Sequence, residues 1–382
     1  MKKIFYFAMA AVVFAAAGCS SSSTPTEGMS EKEVALQKVV KPYVENTVIA
    51  TYSAMASEGM VLLEKVEAIQ EAVEKKEDYT QLMKEAGDSW REMRHHWEQS
   101  EAFLFGPADK HYIDPHIDSW PLDYNVMQSK LNNAEEMKLI EEGGGDYVRQ
   151  NFGYALMGFH AAEYFLFEEG EYHKTNLTHA QAVYLTAIVE DLVQQAILLE
   201  DCWAGSVSAE KEELIFDEEE GESLSWGENW GEYFMELTYP EWKTYQAVVE
   251  QIVSGCVDIA GEVADLKMGK PYRSSSKADQ EYIESPYSYT STTDFADNII
   301  SIKNAYCGAK AGDACVADYI KEKDADLNTK VIAAIDESIE LIGKIENFET
   351  SAKGNADVKA AIDKVSELAE LLEDEVTPIL SK

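Results

Sequence analysis

The chain has 382 residues, 46% of them apolar, enough for one large helical core or two smaller ones. Its 71 acidic residues outnumber 32 basic ones, giving a formal net charge of −39. A field of that sign repels nucleic acid and anionic lipid and gathers cations and basic partners, which argues against a nucleic-acid function.

At the amino end, Lys2 and Lys3 precede an apolar run from Ile4 to Ala17 that closes in a small-residue cleavage context. Residues 1–18 therefore read as an export signal, the run being too short to span a bilayer. The following "AAAGCSSSS" resembles a lipobox, in which Cys19 becomes the lipidated first residue of a bacterial lipoprotein. Ala16 stands where that motif usually has a larger aliphatic residue, and plain secretion with cleavage nearby is the alternative. Residues 19–30 then form a flexible tether. The expected location is the bacterial cell envelope, as an outer-membrane lipoprotein facing the periplasm or the exterior.

Without Cys19, the chain keeps Cys202, Cys256, Cys307 and Cys315, an even number in a compartment that permits disulfides. Cys307 and Cys315 flank the Gly-rich loop of "YCGAKAGDAC" and are the expected bridge, although three pairings are formally open. No Cys-x-x-Cys or Cys/His zinc spacing occurs.

Along the mature chain the apolar period is helical nearly throughout. Trp242, Tyr245, Val249, Ile252, Cys256, Ile259, Val263 and Leu266 recur at alternating three and four, as do Val358, Ile362, Val365, Leu368, Leu372 and Val376 with little deviation. The sequence predicts an all-α protein of two helical bundles packed together, one over residues 31–204 and one over 230–382. Residues 205–229, acidic and Gly-containing, form the connection. The first bundle holds a long Pro- and Asp-rich piece, "GPADKHYIDPHIDSWPLDYN", of the kind that is often functional. In the second, Ser291 three residues before Asp294 predicts a capping box at a helix start.

The stretch "GYALMGFHAAEYFLFEEG" sets two ionisable groups into an apolar face. Val148, Phe152, Leu156, Phe159, Glu163 and Leu166 read as one helical stripe, with His160 about 60° from Glu163 around the helix. One helix earlier, Trp90, Met93, Trp97, Glu101 and Leu104 form a stripe with a carboxylate in it. An unpaired buried carboxylate costs several kcal/mol, so each needs a metal ion, a basic side chain or another partner. Arg91, Arg94 and Arg149 are close in sequence and would serve a buried polar network. A His/Glu pair at i, i+3 is also how bundle helices hold metal ions.

These residues resemble a known family. "GFHAAE" looks like the GxHxxE motif of the imelysin-like proteins, also known as the M75 peptidase family, which includes iron-uptake lipoproteins and periplasmic proteins of bacteria. "WEQSEAFLFGP", "IDSWPLD", "GEVADLKMGKPY" and "SPYSYTSTTDFADNIISIKNAYCG" resemble that family's blocks, in its order, from about Val34 to Leu380. The resemblance implies a two-bundle helical fold with a metal or ligand site around the motif and a role in iron or other metal acquisition. Gly158, His160 and Glu163 match the signature, Glu101 sits in the matching "WEQSE" block, and Asp118 in "IDSWP" is a further candidate ligand. Gly158 would allow a close helix approach. The cupredoxin-like domain of some iron-transport relatives has no counterpart here.

The peptidase name sits poorly with the residues. A zincin uses HExxH, and this chain has one His and one Glu without that arrangement. His95, His96, His111 and His116 are further imidazoles, and "HHWE" makes a second His-x-x-Glu of His95 and Glu98. The leading expectation is a lipid-anchored protein that captures iron, bare or as a chelate, and passes it to a membrane transporter, with zinc or manganese as other ions suited to imidazole and carboxylate. A metallopeptidase or other metal-dependent enzyme is the alternative, and a structural or adhesin-like lipoprotein without ligand a further one.

Overall fold

The computed structural model describes residues 28–173, 176–217 and 221–382. The export signal, Cys19 and all of the tether before Gly28 lie outside the described residues. Among the described residues, strand is confined to two antiparallel pairs, Phe167–Glu168 with Glu171–Tyr172 and Phe216–Asp217 with Glu222–Ser223. The rest is helix and connection, an all-α fold as the apolar period predicts.

In the amino-terminal half, helix Ala50–Lys75 packs along Thr80–Glu98 and His179–Ala204, and Ala134–Asn151 and Gly158–Leu166 also pack on His179–Ala204. That last helix has the length and apolarity of a membrane span, but 89% of its most apolar window is buried within the fold. It starts in a capping box, Thr178 Oγ1 accepting from Gln181 N and the Gln181 side chain from Thr178 N, which satisfies amides that a helix start leaves orphaned. In the carboxyl-terminal half, Tyr245–Glu262 packs on Ser291–Cys307 and Ala356–Glu370, and Ala325–Ile342 packs on the latter two. The first helix, Glu31–Pro42, lies against Tyr245–Glu262.

The two groups of helices meet where Thr80–Glu98 and the 3-10 turn Glu101–Phe103 touch Ser291–Cys307. Gly255 is needed there, because a Cβ at that position would overlap the carbonyl oxygen of Ala102. Trp90, Trp97, Trp203 and Trp230 are fully buried, each contributing on the order of 3 kcal/mol through apolar area removed from water.

Four local expectations are corrected. The stripe from Val148 to Leu166 is not one helix: the first segment ends at Asn151, Phe152 and Met157 are extended, and a new helix starts at Gly158. In the stripe ending at Leu266, a π-helical turn over Val263–Lys267 adds a residue and rotates the face. Leu266 is consequently 45% exposed, and Lys267, at 2%, is buried in its stead. The helix over Ser291–Cys307 is flanked by Thr290, so no capping box forms at Ser291, and Asp294 instead accepts from Thr290 Oγ1 at 3.2 Å. Cys307 and Cys315 are free thiols, with the Cys315 thiol engaged by Asp318 Oδ2 at 3.5 Å in the first turn of its own helix.

Candidate functional site

Gly158 opens the motif helix with φ +74°, a conformation L side chains rarely adopt. A Cβ there would overlap the carbonyl of Ile117, so this glycine lets the backbone of the Ile113–Ile117 helix lie on the start of the motif helix. That contact delivers Asp118, the next residue, to His160.

His160 lies between two carboxylates. Its Nδ1 is 3.2 Å from Glu163 Oε2 and its Nε2 is 3.1 Å from Asp118 Oδ1, the second contact too far off axis to count as a hydrogen bond. The other oxygen of Glu163, Oε1, accepts from Tyr287 N at 3.0 Å, Ser288 N at 2.8 Å and Ser288 Oγ at 2.7 Å. Asp118 accepts from Trp97 Nε1 at 2.8 Å and from the Arg94 guanidinium, which also pairs with Glu98 and with Glu284 Oε1 at 2.9 Å. Lys267 Nζ extends the network, 2.9 Å from Glu284 Oε1 and 3.5 Å from both Glu98 and Glu101. All of these side chains are buried.

Burial is the largest influence on each charge. It disfavours the His160 imidazolium, but the carboxylates of Asp118 and Glu163 on either side outweigh it and carry the pKa up to about 9. Burial would raise Asp118, yet the charge of Arg94 and the His160 contact hold it well below the usual carboxylate range. For Glu98 and Glu101 burial wins, pushing both well up despite Arg94 and Lys267. Asp294 is likewise raised to about 7 by burial, offset in part by Arg94.

Of the residues singled out from the sequence, Gly158, His160, Glu163 and Asp118 come together, and Glu101 joins them only through Lys267. Arg94 is the basic partner, whereas Arg149 pairs with Asp146 at 2.6 Å, and Arg91 bonds Tyr172 Oη and Gly170 O. His95 faces Asp297 at 2.7 Å and His116 faces Asp191 at 2.8 Å, so neither reaches the motif. Sequence reasoning missed Lys267, Glu284 and Ser288. Lys267 and Ser288 lie within the "GEVADLKMGKPY" and "SPYSYT" blocks and Glu284 directly precedes the second, but no motif spacing marks any of the three.

A cavity of about 980 Å³ opens onto this network, lined by Trp120, Tyr124, His160, Lys277, Glu284 and Tyr287 among others. The Trp120 ring lies 5.8 Å from His160 and 5.5 Å from Tyr282, between centroids. Two of the lining residues carry a buried polar atom without a hydrogen-bond partner, Trp120 Nε1 and Glu284 Oε2, while His160 Nε2 meets only Asp118 Oδ1, off axis at 3.1 Å. A second cavity, about 660 Å³ and edged by Glu67, Glu74, Glu141 and Glu190, shares no residue with the network.

Donor atoms of Glu98, Asp118 and Glu284 lie within 4.8 Å of one another, close enough to gather on one ion. The Arg94 guanidinium already pairs with all three carboxylates, however, and both His160 nitrogens face Asp118 and Glu163, so this arrangement does not fit a bare ion.

The fold and the motif define an all-α bundle protein built around a buried GxHxxE helix. The imelysin family model, Peptidase_M75, matches residues 48–374, and the chain belongs to that family. It is similar to iron-regulated protein A of Synechococcus elongatus, 23% identical over 372 residues that cover 95% of this chain and 92% of that protein. The fold matches a crystal structure from Parabacteroides distasonis, provisionally named an iron-regulated protein A precursor, with TM-score 0.77, 24% identity, and coverage of 95% and 97% of the two chains. An imelysin-like protein from Psychrobacter arcticum matches at TM-score 0.65 and 13% identity, over 91% and 96%.

Proposed function

We propose that this protein is a lipid-anchored iron-binding protein of the bacterial envelope that takes iron as a chelate, in the cavity beside His160 and Glu284, for delivery to uptake. The observation that carries the reading is the pair of buried polar atoms without a hydrogen-bond partner, Trp120 Nε1 and Glu284 Oε2, on two residues that line one cavity. Buried polar atoms left unpaired each cost about 1–3 kcal/mol, and a ligand with both a donor and an acceptor would relieve the two. The cavity is of the size that encloses a small organic molecule, and Trp120, Tyr124 and Tyr287 give it aromatic faces. The iron-related name of the Synechococcus relative and the surplus negative charge support the choice of cargo. The export signal and Cys19 motivate the anchor.

His160 and Glu163 then act as a support rather than as ligands: Glu163 holds the Tyr287–Ser288 turn against the motif helix, and His160 holds Asp118. A ligand-free polar core is the second reading, favoured by the way Arg94 and Lys267 neutralise the carboxylates. Equilibrium dialysis against ferric citrate and a ferric catecholate, with iron counted per chain, separates the two. Retention of about one iron per chain with a chelate, lost in Glu284→Gln, is expected. No retention of either chelate by folded wild type overturns the proposal.

A further inference from the structure

We propose that His111, Cys202 and Glu228 form a second metal site, separate from the motif cavity, that takes a thiophilic divalent ion of the zinc type. One donor atom from each of the three lies within 4.8 Å of the other two. They come from three separate segments: His111 follows the short helix Pro107–Lys110, Cys202 is near the end of His179–Ala204, and Glu228 precedes the helix Trp230–Glu236. An imidazole, a thiol and a carboxylate make a mixed set that suits zinc better than calcium or magnesium, and three protein ligands leave a fourth tetrahedral position for water.

The surroundings hold the ligands in place. The Trp226 ring lies flat on His111, centroids 3.7 Å apart and planes 5° from parallel, which fixes the plane of the imidazole. Trp230 Nε1 donates to Glu228 Oε2 at 2.8 Å, an outer-shell bond of the kind that orients a ligating carboxylate. His111 Nε2 stands 2.9 Å from Glu228 Oε2. Around one zinc ion, ligand atoms stand about 3.3–3.8 Å apart given bonds of about 2.0–2.3 Å, so the pair must open by less than about 1 Å.

Two groups must give way. Lys110 pairs with the other Glu228 oxygen, but its side chain is 41% exposed and can turn to solvent as an ion takes its place. The Cys202 thiol, pushed up by burial and then by the charge of Glu228, must lose its proton to the solvent as the sulfur–metal bond forms. Binding is therefore stronger as pH rises.

Cobalt titration of the reduced full chain tests the site, because Co²⁺ bound to a thiolate gives a sulfur-to-metal charge-transfer band. Wild type should show that band, saturating at one ion per chain, and Cys202→Ser should abolish it. His111→Asn and Glu228→Gln should weaken binding by about tenfold or more, the scale on which even outer-shell partners act. Lys110→Met should tighten it, and His160→Asn should leave it unchanged. No charge-transfer band in wild type overturns the site, as does a band that survives in Cys202→Ser. Should Cys202→Ser not fold, unchanged affinity in Lys110→Met overturns it.

Discussion

His160 Nδ1 lies 3.2 Å from Glu163 Oε2 across one helical turn, while Glu163 Oε1 is taken by three donors from Tyr287 and Ser288. The motif glutamate thereby ties the helix Gly158–Leu166 to the turn ahead of Ser291–Cys307, and the histidine ties that helix to Asp118.

This coupling makes stability depend on pH. His160 titrates near 9 in the fold. Against about 6.5 unfolded, its contribution is on the order of 3 kcal/mol, fully present below about pH 6.5 and lost as pH rises through about 9. Asp294 and Asp114, both raised to about 7 by burial, hold protons that the unfolded chain has released, so they also lower stability as pH rises from about 4 to 7. Asp118 acts oppositely: its contribution is present above about pH 4 and is lost as pH falls through its depressed folded value. Thermal midpoints should fall from pH 6.5 to 9, and His160→Asn should flatten that segment. A wild-type midpoint that holds or rises over this range contradicts the charged-histidine account.

Arg94 is the hub of the network, paired with Glu98, Asp118 and Glu284. Arg94→Met leaves three buried carboxylates with fewer charges to face and should cost about 3–5 kcal/mol in urea unfolding. Arg94→Lys should rescue only part of this, since one ammonium cannot reproduce the guanidinium fork. Lysine restoring full stability would show that charge alone, not geometry, holds the carboxylates.

Gly158→Ala places a Cβ against the Ile117 carbonyl at φ +74°. The strain and overlap together should cost about 3 kcal/mol or more, and should loosen Asp118 from His160. A stability loss under about 1 kcal/mol would mean that the 113–118 segment is free to shift.

Much of this architecture was legible in the sequence because apolar spacing reports which helix faces are buried. Tyr245 through Val263 are buried as their period requires. The reading failed at Leu266 because a π-turn is a backbone event that leaves no trace in an apolar pattern, and the failure concealed Lys267, a central cation of the network. The pairing of His160 with Glu163 followed from spacing of three. Asp118, 42 residues before His160, was singled out through the resemblance alone, whereas Glu284, 121 residues after Glu163, is brought in only by the fold. Arg94 was visible as a possible partner, but Asp118, Glu98 and Glu284 sharing it was not.

The anchor is open to a direct test. Cys19→Ala should release the mature protein from the membrane fraction into the soluble envelope fraction. A variant that is processed and sediments with membranes like wild type would remove the lipoprotein reading.

The measurement that bears most directly on the central claim is an iron-edge anomalous difference map from crystals grown with a ferric chelate. Iron is expected in the cavity lined by Trp120 and Tyr287, enclosed in its chelator, with no protein carboxylate or imidazole at bonding distance. Iron bonded directly to His160 together with Glu163 or Asp118, displacing Arg94 and the Ser288 turn, would contradict the account and establish bare-ion capture by the motif itself.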